Sequence, residues 1–300
     1  MQPNELAIIE QLTGVDQAKI QFSDNGFWSR GYIIDGGRIV FKFKKTPDFS
    51  YQSEIDALNY INTLDLGVLH QRVGWISPDD SYLGLHGVVG EPLVVASKNK
   101  PELNALYDLD SIAQQLAEAL TKLHRAQPEH PAIVSLEEEI ATWQERIFDQ
   151  HNWQTLAGFL TQAELTLVEN FCRQTLPATL RALGATPVLT HGDLYKNNLF
   201  LNQQGKVGII DFYRLQLLDE AADFMDISND ILREKILDYY GADPVLRQKV
   251  QLRASLRPIY LFGAFVSHPG QTTGKSDQNQ KQLSGFAQRA RRLIQQGYYS

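Results

Sequence analysis

The chain of 300 residues has a single cysteine, Cys172, so no internal disulfide can form, and no Cys/His cluster has zinc spacing. A long apolar run is also missing. The longest, Ile259 to Val266, falls far below the roughly 20 residues that a membrane-spanning helix requires. The opening Met1-Gln2-Pro3-Asn4-Glu5 has neither the charged nor the apolar region of a secretory signal. A cytoplasmic location without a membrane partner is therefore expected. There is no block of Lys and Arg, and 28 basic against 35 acidic residues give a net charge of −7. Nucleic acid is not expected as a partner, and a small-molecule ligand is. Oligomeric state is left open, with a monomer favoured. Internal repeats and low-complexity tracts are absent.

What is present suffices for a full core: 43% of residues are hydrophobic and 10% aromatic, over a length that suits two domains. Lys19 to Ser23, Phe27 to Ile34 and Arg38 to Phe43 read as strands, the last two joined by the turn-forming Asp35-Gly36-Gly37. Tyr51, Ile55, Leu58 and Ile61 then mark one face of a helix beginning near a capping Ser50. Val73 to Ser77 and Tyr82 to Val89 complete an antiparallel five-stranded sheet carrying one helix. From Pro92 the pattern turns helical. Leu109, Ile112, Ala113, Leu116, Ala117, Leu120 and Leu123 line a helix with Asp108 as its cap. Helices are also expected over 136–148, 162–183, 227–240 and 246–266, with a basic one at the end. A hairpin at Leu199 to Leu201 and Val207 to Ile210 interrupts them. The class is α+β, divided into residues 1–90, with a hinge at 85–90, and a larger helical part, 91–300.

The strongest chemical signal is His191-Gly192-Asp193-Leu194-Tyr195-Lys196-Asn197-Asn198, followed by Ile210-Asp211-Phe212. Two carboxylates and one amide flank a short hairpin. Phosphoryl transfer needs a carboxylate to orient and deprotonate a hydroxyl, and oxygen ligands for a Mg²⁺ ion bridging nucleotide phosphates. Asp193, Asn198 and Asp211 supply that set. The bland alternative makes both aspartates ordinary turn residues.

These residues resemble the aminoglycoside phosphotransferase-like small-molecule kinases, which share the bilobal protein-kinase fold. The family's H-G-D-x-x-x-x-N loop matches His191 to Asn198 and its I-D-F segment matches Ile210 to Phe212. The resemblance implies Asp193 as catalytic base, Asn198 and Asp211 as Mg²⁺ ligands, and His191 as a residue ordering the loop. Asp219 and Asp223 match the family's later aspartate pair, and Asp223 is expected to brace the loop. Such a kinase also needs a strand lysine for the phosphates of ATP or GTP, and a helix glutamate to hold it. Lys42 shares a strand face with Val40 and Lys44, and Glu54 lies early in the next helix. Phe27 to Tyr32 is similar to the phosphate-covering turn of the aminoglycoside 2''-phosphotransferase branch, with Ser23, Gly26 and Ser29 as nucleotide contacts. Tyr82 to Leu93 is similar to its interlobe segment, where backbone near His86 and Val88 would meet the purine. Alternatively, the two lysines are solvated, Glu54 lies at the surface and Val88 is plain core.

Pro269 to Ser276 imitates a P-loop, yet Pro269 occupies the first required glycine and only 24 residues follow Ser276, too few to complete a P-loop sheet. It reads as a polar loop. His124 and Cys172 read as structural. Asp230, Glu234 and Asp238, spaced at i, i+4 and i+8, form an acidic stripe that reads first as a solvated face beside Arg233 and Lys235 and alternatively as a wall for a polyamine substrate. The expected acceptor is a small-molecule hydroxyl, with an aminoglycoside or aminosugar first. Choline, homoserine, methylthioribose and sugars, or a nucleotide-binding module without turnover, are the alternatives. A P-loop NTPase using Lys275 is the remaining one.

Overall fold

In the computed structural model the described residues are 2–23, 28–93, 107–129, 132–195, 197–227, 229–267 and 276–299, with backbone alone at 276–279. Helix α1 (Pro3–Thr13) starts with proline in its first turn, where no intrahelical N–H is lost, and ends at Gly14 in the left-handed region. Strands β1 (Ile20–Ser23), β2 (Ser29–Ile34) and β3 (Ile39–Lys44) follow. Between β2 and β3, Asp35, Gly36 and Gly37 all have positive φ, at 50°, 62° and 96°. Next come α2 (Gln52–Ile61), β4 (Leu69–His70), β5 (Arg72–Ile76), β6 (Tyr82–His86) and β7 (Glu91–Pro92).

The second half begins with α3 (Leu109–Arg125), capped by Asp108 through the Ser111 N–H as expected. Helices α4 (Leu136–Phe148), α5 (Gln150–Ala157), α6 (Gln162–Asn170) and α7 (Leu176–Leu183) follow, a π-turn at Phe171–Thr175 joining the last two. After β8 (Pro187–Thr190), β9 (Leu199–Leu201), β10 (Val207–Ile209) and β11 (Gln216–Asp219) come α8 (Ala221–Met225), α9 (Asp230–Tyr240), α10 (Pro244–Ser267) and α11 (Ser276–Gln295). Among the described residues no helix is long and apolar enough to cross a membrane.

The chain divides into two compact units. The first comprises residues 1–129, 191–215 and 227–240. Its main sheet runs β1-β2-β3-β6-β5, antiparallel throughout, as expected from the sequence. One sheet face packs Tyr32, Ile34, Phe41 and Phe43 beneath Ile9 of α1. On α2, Tyr51, Ile55, Leu58 and Ile61 are all buried, which the helical spacing anticipates. A second sheet, β4-β10-β9-β7, contains the expected hairpin.

The second unit comprises 130–190, 216–226 and 241–300. Its apolar core joins Trp143, Val168, Phe171, Leu256, Phe262 and Ala290. Charged residues are buried there as well. Lys249 donates to Asp219 at 2.9 Å, and Arg253 reaches Glu139 at 2.8 Å and Asp219 at 3.3 Å. Burial of these ions is tolerated because each meets an opposite charge.

Several elements differ from the sequence reading. Helix α1 lacks a broad apolar stripe, only Ile9 being buried among its apolar residues, so periodicity does not reveal it. Ser50 is not the cap of α2; that position is Tyr51, while the Ser50 hydroxyl accepts the Gln52 N–H at 3.2 Å. Strands β8 and β11 pair with each other in a two-stranded ladder too short to announce itself.

Glu164 is both the capping-box partner of Thr161 and the ion partner of Arg291, 2.7 Å away. The Arg291 guanidinium, then the Thr161 N–H, hold its pKa at about 2 against an ordinary 4.5. A depressed carboxylate pKa stabilises the fold above the unfolded value and loses that contribution as pH falls through the folded one. Glu164→Gln is expected to cost about 1 kcal/mol at neutral pH. In urea titrations, the gap from the parent chain should close as pH falls from 4.5 towards 2.

Candidate active site

The first unit gathers the two motifs. Strands β9 and β10 pair Leu201 with Val207 and Leu199 with Ile209, across a turn where Gly205 has φ 74° and Asn202 Oδ1 accepts the Gln204 and Lys206 N–H groups. Closing this hairpin sets the start and end of the pair side by side, and the Ile210 N–H donates to the Asn198 carbonyl at 3.0 Å. The two sequence segments, whose Asn198 and Asp211 lie thirteen residues apart, thus meet through one short ladder.

His191 is fully buried and stitches the loop together. Its Nδ1 accepts the Asp193 N–H at 3.2 Å, so its Nε2 carries the proton and donates to the Ile210 carbonyl at 2.9 Å. The ring also packs against Phe212, centroids 4.6 Å apart. Gly192 has φ 75°, and a Cβ there would lie 2.7 Å from the Arg214 carbonyl oxygen, so glycine alone fits. Asn198 is 5% exposed; its Nδ2 donates to the Asp193 carbonyl at 2.8 Å and to Oδ2 of the Asp193 carboxylate at 3.2 Å. Its amide oxygen is left without a protein partner among the described residues, available to a cation.

Asp211 is held at both ends. Its backbone is left-handed, φ 71° and ψ 54°, unusual for a side chain with a Cβ. Strand β10 pairs in parallel with β4, Gly208 opposite Leu69 and Ile209 opposite His70, which brings Gln71 next in line to the segment entering Asp211. The Gln71 side chain, 2% exposed, accepts the Asp211 N–H at 3.1 Å. At the other end, Lys42 Nζ donates to the Asp211 carboxylate at 2.8 Å and to Glu54 at 2.5 Å.

The electrostatics follow from one ammonium shared by two carboxylates. Burial alone would lower the Lys42 pKa, but the charges of Asp211 and Glu54 outweigh it and hold Lys42 protonated. Burial would raise Asp211 too, yet the Lys42 charge prevails and keeps it below the ordinary carboxylate range. Glu54 moves the other way: burial raises it, Lys42 opposes and the nearby Asp211 charge adds to the rise. Tyr213 lines the same locality, its hydroxyl pushed up to about 12 chiefly by burial, with Asp193 and Asp211 contributing in the same direction.

The remaining expected residues fall elsewhere. Ser29 opens β2 opposite Lys44, and Ser23 closes β1 opposite Gly31, whose other neighbour is Lys42. His86 ends β6 between Ile39 and Arg72. Val88 is buried against β10, where a Cβ on Gly208 would lie 2.4 Å from its Cγ1. Gly26, Lys196 and Pro269 to Lys275 lie outside the described residues. Asp223, 1% exposed on α8, belongs to the second unit with Asp219. Asp230, Glu234 and Asp238 form an exposed stripe on α9, and Asp230 is engaged by Arg233 at 2.7 Å. His124 bonds the Tyr240 hydroxyl at 2.8 Å, and burial pushes the Cys172 thiol up to about 12, so it stays protonated. Gln71 and Tyr213 escaped the sequence reading, since an isolated Gln or Tyr belongs to no spacing pattern.

Comparison with known proteins bears on the family and the fold. The model of a family described as phosphotransferase enzymes matches residues 26–258. No curated protein matches the sequence. Among solved structures, the GDP and kanamycin complex of APH(2'')-IIIa is 19% identical, with 97% of this chain and 99% of that one covered and a TM-score of 0.73. The streptomycin–ATP–APH(2'')-IIa complex is 15% identical over 97% and 98%, TM-score 0.66. A choline/ethanolamine kinase family protein from Mesorhizobium loti is 15% identical over 97% and 92%, TM-score 0.70. The fold is thus that of protein-kinase-like phosphotransferases.

Gln71→Leu keeps the bulk of the side chain but removes the acceptor of the Asp211 N–H. Leaving that group unsatisfied should cost about 1–3 kcal/mol, read by urea denaturation. Amide hydrogen exchange at Asp211 should accelerate more than at neighbours in β10.

Proposed function

Because the chain belongs to the phosphotransferase enzyme family, we propose that it moves the γ-phosphoryl group of ATP or GTP to a hydroxyl of a small molecule. The observation that carries the reading is the convergence of Lys42, Glu54 and Asp211 in one ion cluster, with Asn198 bonded to Asp193 beside it. Residues 1–90 would supply the nucleotide-binding sheet, including the turn from Ser23 to Ser29 and the backbone near His86 and Val88. Residues 91–300 would supply the catalytic loop and the acceptor's surroundings.

Asp193 orients the acceptor hydroxyl and takes its proton as the acceptor oxygen bonds to the γ-phosphorus and the bond from that phosphorus to the β–γ bridging oxygen breaks. Asn198 limits the carboxylate's rotation through Nδ2. His191, by fixing the loop from both ring nitrogens, keeps Asp193 in that pose. Lys42, oriented by Glu54, would turn to the nucleotide phosphates as a fixed positive charge. The Asn198 amide oxygen and the Asp211 carboxylate are hard oxygen donors of the kind Mg²⁺ takes, and these two residues would hold it. When bound, the ion neutralises charge on the phosphates.

An aminoglycoside or aminosugar is the first acceptor to test; the exposed carboxylates on α9 would attract its amines. Turnover of ATP and of GTP with Mg²⁺ should be measured across aminoglycosides, choline, homoserine and aminosugars. An acceptor that strongly stimulates turnover is the expected result. Asp193→Asn should then lower turnover about 10²–10⁴-fold while nucleotide affinity stays within about twofold. Unchanged turnover in that variant would overturn the assignment.

A further inference from the structure

Tyr51 carries a hydroxyl that the fold itself does not use. The residue precedes α2 with a helical backbone, φ −83° and ψ −6°, and is 1% exposed. Its ring meets Phe49 edge-on, centroids 5.1 Å apart, and its N–H donates to Asp80 at 3.2 Å. Phenylalanine would make both contacts equally well. The hydroxyl oxygen is sealed from water and has no hydrogen-bond partner among the described residues. Buried polar groups are nearly always paired, and each exception needs a reason.

The surroundings of this hydroxyl supply one. Residues three apart at the start of a helix share a face, which puts Tyr51 beside Glu54, whose carboxylate takes the Lys42 ammonium at 2.5 Å. The Lys44 ammonium, paired with Asp80 at 2.6 Å, lies 5.9 Å from the Tyr51 ring centre. Lys42 and Lys44 alternate onto one face of β3, and Lys44 stands opposite Ser29, the first residue of β2. Tyr51 thus shares with both lysines the sheet face on which the nucleotide phosphates are expected. The Ser29 side chain is close enough to act on the hydroxyl, but the two do not meet in hydrogen-bond geometry. Burial pushes the hydroxyl above its ordinary pKa, against the opposing charge of Lys42, so it stays a donor at neutral pH.

We propose that Tyr51 is a further nucleotide ligand, its hydroxyl donating to an oxygen of the phosphate group that Lys42 takes up. The inference rests on the phosphotransferase reading, in which Lys42 leaves Asp211 for the phosphates. The hydroxyl is closed off while Lys42 is held by Asp211, and the nucleotide that draws Lys42 away brings an acceptor to the donor beside it. Nothing is given up in exchange, because the hydroxyl has no bond to break in the nucleotide-free protein. A donor to a charged oxygen made only in the complex adds its full strength to affinity.

Tyr51→Phe removes the oxygen and keeps the buried ring. Two measurements on the full chain test the proposal: urea denaturation without nucleotide, and titration calorimetry with Mg²⁺ and a non-hydrolysable ATP or GTP analogue, beside the matching nucleoside. The variant should unfold at a urea midpoint no lower than the parent's. Its affinity for the analogue should be at least about tenfold weaker, and its affinity for the nucleoside, which has no phosphate, within about twofold of the parent's. Unchanged analogue affinity, with the parent binding, would overturn the proposal and leave the phosphotransferase reading standing. A lower urea midpoint would overturn it as well, since the hydroxyl would then serve the resting fold, directly or through a water. Equal loss for analogue and nucleoside would overturn it by placing the effect away from the phosphates. A parent chain that binds no analogue would remove the phosphotransferase reading itself, and the proposal with it.

Discussion

One ammonium group holds the first unit's chemistry together. Lys42 stands on the central strand β3, Glu54 on helix α2 and Asp211 just beyond β10, and a single Nζ bonds both carboxylates. Glu54 is 3% exposed and cannot be hydrated. Removing Lys42 would leave it as an unpaired buried charge, the kind of loss that costs about 3–5 kcal/mol. The pair is therefore a structural necessity in its own right. Two carboxylates around one cation also leave a negative charge in excess, which the divalent cation of the proposed function would offset.

Backbone constraints around this cluster serve the same end. Asp211 adopts a left-handed conformation that side chains rarely take, and Gln71 satisfies its N–H. Gly192 takes a positive φ against the Arg214 carbonyl, where any Cβ would collide. His191, buried and bonded through both nitrogens, ties the loop to the end of β10. Each device fixes the backbone beside Asp193 or Asp211, in two cases against the ordinary preference of the chain.

Much of this was legible beforehand because it is local. The hairpin of residues 199–210 brings its flanking residues together by short-range pairing, so the spacing of Asn198 and Asp211 already implied their meeting. Lys42 and Glu54 could be read from strand and helix periodicity with the family resemblance. The five-stranded sheet followed from alternation and from the Asp35-Gly36-Gly37 turn. What escaped depends on non-local pairing. Gln71 acquires its role only because a two-residue strand, β4, lies parallel to β10 across more than a hundred residues. Strands β8 and β11 stabilise each other and carry no pattern of their own, and α1 buries one isoleucine rather than a stripe. The acidic stripe on α9 shows the reverse: a regular spacing in sequence that folds into an exposed face, with Asp230 occupied by Arg233.

The central claim, that Lys42 is poised to exchange Asp211 for nucleotide phosphates, is tested most directly by the affinity of a non-hydrolysable ATP or GTP analogue with Mg²⁺. Calorimetric titration should compare the parent chain with Lys42→Met, folding of the variant being checked by circular dichroism. A loss of at least about tenfold in a folded variant is the predicted result. Unchanged affinity would contradict it, leaving the cluster as a brace of the fold and nothing more.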